Sequence, residues 1–171
     1  YDFDLIINAA KKLQDENIKF VLRGKGILLS YLQNEKKNKD LKNLLIDTEI
    51  VPLEYIAKKL AHADVFIVPM KNEIALNSTL PTKILEYQAT GRPIICCSDG
   101  APGKYVEKTK SGIKTKYENL DEFIDAIQKL KSEPQLCKEL GQNGKKYVDE
   151  NLTFEKIGKT LSRYVEESMQ K

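Results

Sequence analysis

The sequence predicts an α/β fold in which helices cover both faces of a parallel sheet. Short apolar segments alternate with helical patterns as far as residue 97. Two of these segments, 64–69 and 93–97, contain runs of consecutive apolar residues, which is typical of strands buried on both faces. The chain has 171 residues, of which 41% are hydrophobic and 31% are charged. This length and composition suit one domain with a hydrophobic core.

The first half of the chain alternates helices with strands. Apolar residues at helical spacing predict an amphipathic helix over residues 2–16. The run 18–22, with the sequence Ile-Lys-Phe-Val-Leu, predicts a strand that ends at the glycine turn 24–26. A second helical pattern starts at Leu28. A strand, a short helix and the clearest strand of the sequence are then expected at 44–46, 56–61 and 64–69.

The middle of the chain combines a buried strand with turn residues. We expect a loop over residues 70–77 and then a helix over residues 79–90, which ends at Gly91. The apolar strand 93–97 follows, and after it a turn rich in glycine and proline over residues 100–103. This succession of strand, helix and strand implies right-handed crossovers between parallel strands.

The last third of the chain is mainly helical. A weak extended segment is expected near Ile113, and three amphipathic helices follow it. The pattern predicts that the second of these helices is interrupted at Gly141 and Gly144, and that Thr153 is the N-cap of the third. Sheets of this kind ordinarily begin with a strand, whereas this chain begins in a helix. We therefore expect residues 1–171 to be a single domain excised from a longer protein, without its first strand.

Composition and charge exclude several classes of protein. The net charge is +3, from 28 Lys and Arg against 25 Asp and Glu. No basic stripe with interleaved aromatic residues stands out, so no nucleic acid is expected as a partner. No apolar run approaches the roughly 20 residues that a membrane-spanning helix needs. Three cysteines, an odd number, fit neither a disulfide framework nor a metal site and favour a reducing compartment.

The segment 77–87 carries the strongest indication of a binding site. Ligands of parallel α/β sheets bind beyond the carboxyl ends of the strands, and this segment follows such an end. Ser78 and Thr79 are small hydroxyl residues just before the expected helix, and Pro81 is expected in its first turn. Free amides at a helix N-terminus suit a diphosphate, and the carboxylate of Glu86, one turn further, suits two ribose hydroxyls. A capped helix with a surface glutamate is the alternative interpretation.

Other chemically reactive residues are interpreted as structural. His62 is the single histidine, and the sequence places no nucleophile or carboxylate beside it, so a capping or surface role is favoured. Adjacent residues of a strand point to opposite faces, so Cys96 and Cys97 cannot share a ligand, and buried packing is favoured. The turn 24–26 is too short for a phosphate-binding loop of the Gly-x-x-x-x-Gly-Lys type.

A longer motif follows the apolar strand 64–69. Residues 81–95 have the sequence Pro-Thr-Lys-Ile-Leu-Glu-Tyr-Gln-Ala-Thr-Gly-Arg-Pro-Ile-Ile. Together, these segments resemble the donor-binding half of the glycosyltransferase family 4 group, which has the two-domain GT-B fold. Weaker matches occur in the right order at 20–26, 51–52 and 140–144. The resemblance implies a Rossmann-like three-layer domain that forms the C-terminal half of a GT-B glycosyltransferase.

The resemblance also implies roles for individual residues. Glu86 matches the glutamate that holds the ribose hydroxyls of the donor. Thr82 and Lys83 match positions whose backbone amides face the donor diphosphate. Ile50 and Val51 match a segment that runs beside the nucleotide base.

The glycine turn and the loop before the motif complete the predicted nucleotide-sugar site. Gly24 would let the backbone approach the nucleotide. Ser78 stands where the family often has a glutamate that contacts the donor sugar, and Thr79 and Leu80 follow it in the same loop. Lys25 replaces an acidic residue of the family pattern. It is either a partial substitute for the basic residues that clamp the diphosphate or, as its turn position favours, a solvated lysine.

The activity implied by the resemblance is that of a retaining glycosyltransferase. Such an enzyme transfers a glycosyl group from a nucleotide-diphosphate sugar to an acceptor hydroxyl, here in cell-surface polysaccharide or glycolipid synthesis. We expect it in the cytoplasm, at the inner face of the membrane, with no cofactor and no metal. The expected partners are the donor and the protein's own N-terminal GT-B domain, which would carry the acceptor site and any peripheral membrane contact. The fragment alone is therefore expected to be inactive, and its catalytic residues are not identified.

Two alternatives stay open. Another GT-B enzyme, such as a nucleotide-sugar 2-epimerase, would keep both the fold and the nucleotide site. A non-catalytic α/β interaction module would keep the parallel sheet but would not bind a nucleotide.

Overall fold

The computed structural model describes residues 1–169, which form an α/β domain with parallel strands. Within these residues, the strands are β1 (Phe20–Arg23), β2 (Leu44–Asp47), β3 (Phe66–Pro69), β4 (Ile94–Cys97) and β5 (Gly112–Thr115). The helices are α1 (Phe3–Lys12), α2 (Leu29–Asn38), α3 (Leu53–Leu60), α4 (Ile74–Asn77), α5 (Thr82–Ala89), α6 (Ala101–Lys108), α7 (Leu120–Ser132), α8 (Pro134–Asn151) and α9 (Phe154–Met169). This order of elements confirms the predicted fold class.

The strands form two parallel sheets. In the first, β1 pairs with β2, with Phe20 opposite Leu44. In the second, the order is β3–β4–β5, and Ile94 of β4 lies opposite Phe66 on one side and Gly112 on the other. Because paired strands run in the same direction, the loops that follow them leave the sheet at one edge, which we call the carboxyl edge.

Strand β4 shows the predicted three-layer arrangement. All four of its residues are buried. Ile95 belongs to a core cluster that includes Phe123 of α7. Ile94 belongs to a second cluster, with Ile84 of α5 and Val106 of α6. Neighbouring residues of a strand point to opposite faces of the sheet. One cluster therefore lies on each face, between the sheet and the helices that cover it.

The structure confirms the predicted strands and most of the predicted helices, with shifted bounds. The first helix ends at Lys12, short of the predicted range 2–16. The weak extended segment near Ile113 is strand β5. At the start of α9, the hydroxyl of Thr153 accepts a hydrogen bond from the amide of Lys156 at 3.4 Å, as expected of an N-cap.

The region before α5 corrects two predictions. The short helix Ile74–Asn77 lies inside the segment 70–77 that was expected to be a loop. Helix α5 begins at Thr82 rather than Thr79, because Pro81 has φ −62° and ψ 130°, an extended conformation. Pro81 is therefore the N-cap residue and does not lie in the first turn.

The segment 100–103 is also different from its prediction as a turn. It begins helix α6, with Gly100 as the N-cap and Pro102 in the first turn. Proline is tolerated there because the first amides of a helix have no intrahelical acceptor. A Cβ atom at Gly103 would lie 1.8 Å from the carbonyl oxygen of Ser98, so this glycine permits close packing of α6. The glycine and proline content of this segment is typical of turns, and for this reason helix α6 was not predicted from the sequence.

Helix α8 is continuous, although an interruption at Gly141 and Gly144 was predicted. A Cβ atom at Gly141 would lie 2.0 Å from the carbonyl oxygen of Gly91, and one at Gly144 would lie 3.0 Å from Cβ of Ser111. The two glycines therefore allow α8 to approach its neighbours closely, and they do not break the helix.

Helix α9 lacks buried residues. Its apolar side chains include Ile157, Leu161 and Val165, which are exposed to 48%, 61% and 47%. They recur at helical spacing and form an exposed apolar stripe. No helix within residues 1–169 is long and apolar enough to cross a membrane.

Candidate functional site

The loops after β1 and β2 lie side by side at the carboxyl edge. Gly24 has φ 145°, a conformation that favours glycine, and its amide donates to the carbonyl oxygen of Asp47 at 2.9 Å. The guanidinium group of Arg23 donates to the carboxylate of Asp47, and to the carbonyl oxygen of Glu49 at 3.1 Å. These contacts hold the start of the loop that continues to Ile50, whose side chain is 79% exposed.

The N-terminus of α5 presents backbone amides at the same edge. The amide of Ile84 donates to the carbonyl oxygen of Pro81 at 3.0 Å. The amides of Thr82 and Lys83 come before this bond, so the helix offers them no carbonyl acceptor. The positive end of the helix dipole adds to their attraction for an anion. The exposed side chain of Glu86 follows one turn later.

Ser78, Thr79 and Leu80 form an exposed turn between α4 and α5. Both the amide and the hydroxyl of Thr79 donate to the carbonyl oxygen of Leu76, at 3.4 Å and 3.3 Å. The turn is therefore closed onto α4 and does not cap α5. It nevertheless stands directly before the free amides of α5, which is where the prediction placed these three residues.

A polar cluster, which we call the Tyr117 cluster, joins this turn to the ends of β4 and β5. It consists of Asn77, Ser98, Gly100 and Tyr117. The hydroxyl of Tyr117 donates to the side-chain oxygen of Asn77 and lies 3.0 Å from the hydroxyl of Ser98. The amide of Gly100 donates to both hydroxyl oxygens at 3.1 Å.

None of these four residues was assigned an individual role in the predicted site, although Asn77 lies in the segment 77–87 that was predicted to bind a ligand. Asn77 and Tyr117 are 40 residues apart in the sequence, and no motif joins them. The sequence offers one weak signal, which is that Asn77, Ser98 and Gly100 all follow apolar segments at the carboxyl edge. Their association depends on how the three loops pack.

A cavity of about 460 Å³ lies between β1 and β3. Its walls include apolar side chains of both strands, and Gly24, Lys25 and Lys83 line it as well. The ammonium group of Lys83 lies 5.1 Å from the centre of the Tyr1 ring. The structure therefore brings three of the predicted site residues to one cavity.

The other predicted site residues do not line this cavity: Ser78, Thr79, Leu80, Thr82, Glu86, Ile50 and Val51. Most of them are exposed at the carboxyl edge, and Val51 is half-buried. Since most of the residues that line the cavity are apolar, and many of them belong to β1 and β3, we interpret the cavity as a gap between the two sheets. The candidate site is the polar surface around the carboxyl end of this gap.

Cys96 and Cys97 do not contribute a nucleophile to this surface. Cys96 and Cys97 are fully buried, and burial raises the pKa of each thiol to about 12. Both thiols are therefore protonated at neutral pH, and the predicted packing role is confirmed. His62 is exposed, and its Nδ1 atom lies 2.9 Å from the carbonyl oxygen of Lys58. Residues 1–169 contain no group of three or more His, Cys, Asp or Glu side chains placed to hold a metal ion.

Sequence comparison identifies a matching family. The family described as Glycosyl transferases group 1 matches residues 1–147. This range includes every strand and the helices from α1 to α7, whereas α9 lies beyond it. No curated protein sequence matches the chain.

Several solved structures are similar to this chain. A variant of TarM from S. aureus, in a complex that includes UDP, is 19% identical with a TM-score of 0.77, over 94% of this chain and 32% of TarM. Alr3699/HepE from Anabaena, in complex with UDP, is 13% identical with a TM-score of 0.81, over 97% of this chain and 45% of that protein. The C-terminal domain of the group 1 glycosyl transferase LpcC from Francisella tularensis is 17% identical with a TM-score of 0.74, over 89% of this chain and 80% of that domain.

These likenesses show the fold, which is the Rossmann-like domain of GT-B glycosyltransferases. The chain spans about a third of the TarM chain and less than half of Alr3699/HepE. It spans most of the LpcC domain, which is a C-terminal domain. The predicted correspondence to the C-terminal half of a GT-B protein is confirmed at the level of fold.

Proposed function

The chain belongs to the glycosyl transferases group 1 family, and on this premise we propose that it is the donor-binding domain of a glycosyltransferase. The proposed donor is a nucleotide-diphosphate sugar, bound at the carboxyl edge of the sheet. One observation carries the proposal: α5 begins with two backbone amides that have no helical acceptor, and an exposed carboxylate follows within one turn. The UDP bound to TarM and to Alr3699/HepE supports the class of donor.

The diphosphate is proposed to bind the N-terminus of α5. Backbone amides with no intrahelical acceptor donate to phosphate oxygens, and the helix dipole favours their negative charge. The amides of Thr82 and Lys83 meet both conditions. The ammonium group of Lys83 and the nearby Lys25 add positive charge on the side of the cavity.

The nucleoside is proposed to extend from α5 toward the loops after β1 and β2. The carboxylate of Glu86 accepts hydrogen bonds from the two ribose hydroxyls, which is a pairing that two carboxylate oxygens satisfy. The base lies beside Ile50 and Val51, whose loop is held by Arg23 through Glu49 and Asp47. Gly24, which lacks a side chain, leaves room for the nucleotide to approach the backbone.

The proposed reaction is transfer of the glycosyl group to an acceptor hydroxyl, with retention at the anomeric carbon. The bond from that carbon to the β-phosphate oxygen breaks, a bond to the acceptor oxygen forms, and the proton of the acceptor hydroxyl passes to the departing diphosphate. Amides at the start of α5 stabilise the negative charge that develops on the departing diphosphate. The sugar is attached to the β-phosphate, so it lies beside the turn that holds Ser78, Thr79 and Leu80.

The whole protein is proposed to contain a separate N-terminal domain that carries the acceptor site. The share of TarM and Alr3699/HepE that this chain covers supports that organisation. Residues 1–171 alone would then lack transfer activity. We propose that the protein acts without a metal or cofactor in cell-surface polysaccharide or glycolipid synthesis, in the cytoplasm beside the inner membrane face.

A change of one backbone amide tests the diphosphate site. Thr82→Pro removes the amide at the first position of α5, which is a position where the helix tolerates proline. We expect isothermal titration to show about tenfold weaker binding of the preferred diphosphate among UDP, GDP and ADP, since a charge-assisted hydrogen bond is lost. Thr82→Ala keeps the amide and is the matched control. Equal binding by both variants would remove this amide from the site.

A second variant tests the ribose contact. Glu86→Gln replaces a charged acceptor by a neutral amide and is expected to weaken binding of the ribonucleoside diphosphate about tenfold. Binding of the 2′-deoxyribonucleoside diphosphate, which is already weaker, should change much less. Glu139→Gln, an exposed change on α8, is the control. A similar loss for both nucleotides would show that Glu86 acts without contacting the 2′-hydroxyl.

A further inference from the structure

We infer that Tyr117 is a positioning residue for the donor sugar, acting through Asn77 on the turn that follows it. This inference rests on the proposed function, because it assigns a role within the same donor site. The proposed role is specific to the sugar. The nucleotide is proposed to contact α5 and the loops after β1 and β2, whereas the hydrogen bonds of the Tyr117 cluster join the loops after β4 and β5 to the end of α4.

The first observation is the hydrogen bonding within the cluster. The hydroxyl group of Tyr117 donates to Asn77 and accepts from the amide of Gly100 at 3.1 Å. Ser98, which is fully buried, lies 3.0 Å from the same hydroxyl. One hydroxyl thus joins the loops after β4 and β5 to the end of α4.

The second observation concerns the backbone and is independent of these hydroxyls. A Cβ atom at Gly100 would lie 2.6 Å from the carbonyl oxygen of Asn77 and 2.7 Å from its Cα atom. The backbone of Asn77 therefore rests directly on Gly100. A side chain at position 100 would displace either Asn77 or the hydroxyl of Tyr117, which would lie 2.9 Å away.

Apart from the Tyr117 cluster, the turn is anchored by Leu76, which is partly buried against the second core cluster, and by the hydrogen bonds from Thr79 to Leu76. Helix α4 has four residues and none is buried, and the turn residues Ser78, Thr79 and Leu80 are exposed. Asn77 immediately precedes this turn. Its side chain accepts a hydrogen bond from Tyr117, and its backbone packs against Gly100. The cluster therefore ties the start of the turn to the loops that follow β4 and β5, through both the side chain and the backbone of Asn77.

The position of the turn determines which polar groups contact the donor sugar. Thr82 is four residues after Ser78, and its amide is proposed to bind the diphosphate to which the sugar is attached. A displaced turn leaves the diphosphate contacts of α5 in place but moves the polar groups that face the sugar. Loss of the Tyr117 hydroxyl should therefore reduce the affinity gained from the sugar and spare the affinity for the nucleoside diphosphate.

The test compares Tyr117→Phe with Tyr105→Phe by isothermal titration. The hydroxyl of Tyr105 lies in a different network, 3.3 Å from Gln88, so the control removes the same group elsewhere. Probes are UDP with UDP-glucose, GDP with GDP-mannose and ADP with ADP-glucose, of which the best-bound pair is used. Tyr117→Phe is expected to bind the sugar nucleotide about fivefold more weakly and the diphosphate within twofold of the unaltered protein, as loss of one hydrogen bond predicts. Tyr105→Phe is expected to change neither.

A second variant keeps the inference testable if Tyr117→Phe folds poorly. Asn77→Ala removes the partner side chain, and it should produce the same loss for the sugar nucleotide alone. The double variant should bind about as weakly as either single one, because both changes break the same contact. Unchanged binding of the sugar nucleotide, or equal losses for sugar nucleotide and diphosphate, would overturn the positioning role while the proposed function stands. If the unaltered protein binds none of the six probes, the proposed function fails, and the inference fails with it.

Discussion

Strands β4 and β1 belong to the same fold but have opposite surroundings. Every residue of β4 is buried, whereas in β1 only Phe20 is, and Val21 is 57% exposed. Strand β4 pairs with β3 on one side and with β5 on the other, and a core cluster lies on each of its faces. Strand β1 pairs with β2 alone, and its other edge borders the cavity.

This difference in burial suggests that one sheet contributes most to stability, whereas the loops of the other carry part of the proposed binding site. The β3–β4–β5 sheet removes large apolar side chains from water on both faces, which is the main source of folding free energy. The β1–β2 sheet buries fewer side chains, but its loops carry the glycine turn and the loop proposed to lie beside the base. Changes in the β3–β4–β5 sheet should therefore lower the free energy of unfolding, and matched changes in the β1–β2 sheet should lower it much less.

The largest expected effect comes from truncation of a buried strand residue. Ile94→Ala should lower the free energy of unfolding by about 4 kcal/mol, because Ile94 is fully buried and the change leaves a cavity. The matched change Leu45→Ala, in β2, should cost about 0.5 kcal/mol, since Leu45 is 55% exposed. Urea denaturation followed by circular dichroism measures both. Similar losses would show that the β1–β2 sheet is as important to stability as the β3–β4–β5 sheet.

A smaller effect is expected when a methyl group is added to a glycine. In Gly112→Ala, the new Cβ atom would lie 1.8 Å from the carbonyl oxygen of Ile94, so strands β4 and β5 must separate locally. We expect a loss of about 2 to 3 kcal/mol, as for other overpacked sites. Gly26→Ala, next to β1, meets no atom within 4 Å and should stay within about 0.5 kcal/mol of the unaltered protein. Thermal unfolding measures the stability of both variants. A larger loss of stability for Gly26→Ala than for Gly112→Ala would contradict the conclusion that the β3–β4–β5 sheet contributes more to stability.

The sequence predicted the fold well where local pattern and environment agree. Apolar runs in β3 and β4 identified strands buried on both faces, and the structure confirms this for β4 in full. The prediction was wrong where glycine and proline were taken as signs of a turn or a break. Gly103 and Gly141 instead lie where helices approach backbone oxygens closely. A single sequence does not distinguish these two uses of glycine, because the second depends on a neighbour distant in the chain.

The candidate site was predicted in part. Gly24, Lys25 and Lys83 were named from the sequence, and they line one cavity. Glu86 and the amides at the start of α5 were also named, and their position at the carboxyl edge fits the prediction, although their roles stay predictions. Tyr117 was not named from the sequence, because its proposed role rests on a hydrogen bond to Asn77, which lies 40 residues away in the chain.

By itself, the sequence determined the class of fold, the order of its elements and the segment that resembles the family motif. These follow from local periodicity, since the alternation of apolar and polar residues reflects which side of an element faces the core. Only the tertiary structure decided where α5 begins, that α6 is a helix, and which side chains hold the turn before α5. Those features depend on packing and hydrogen bonds between segments far apart in the chain, whose free energy outweighs local preference.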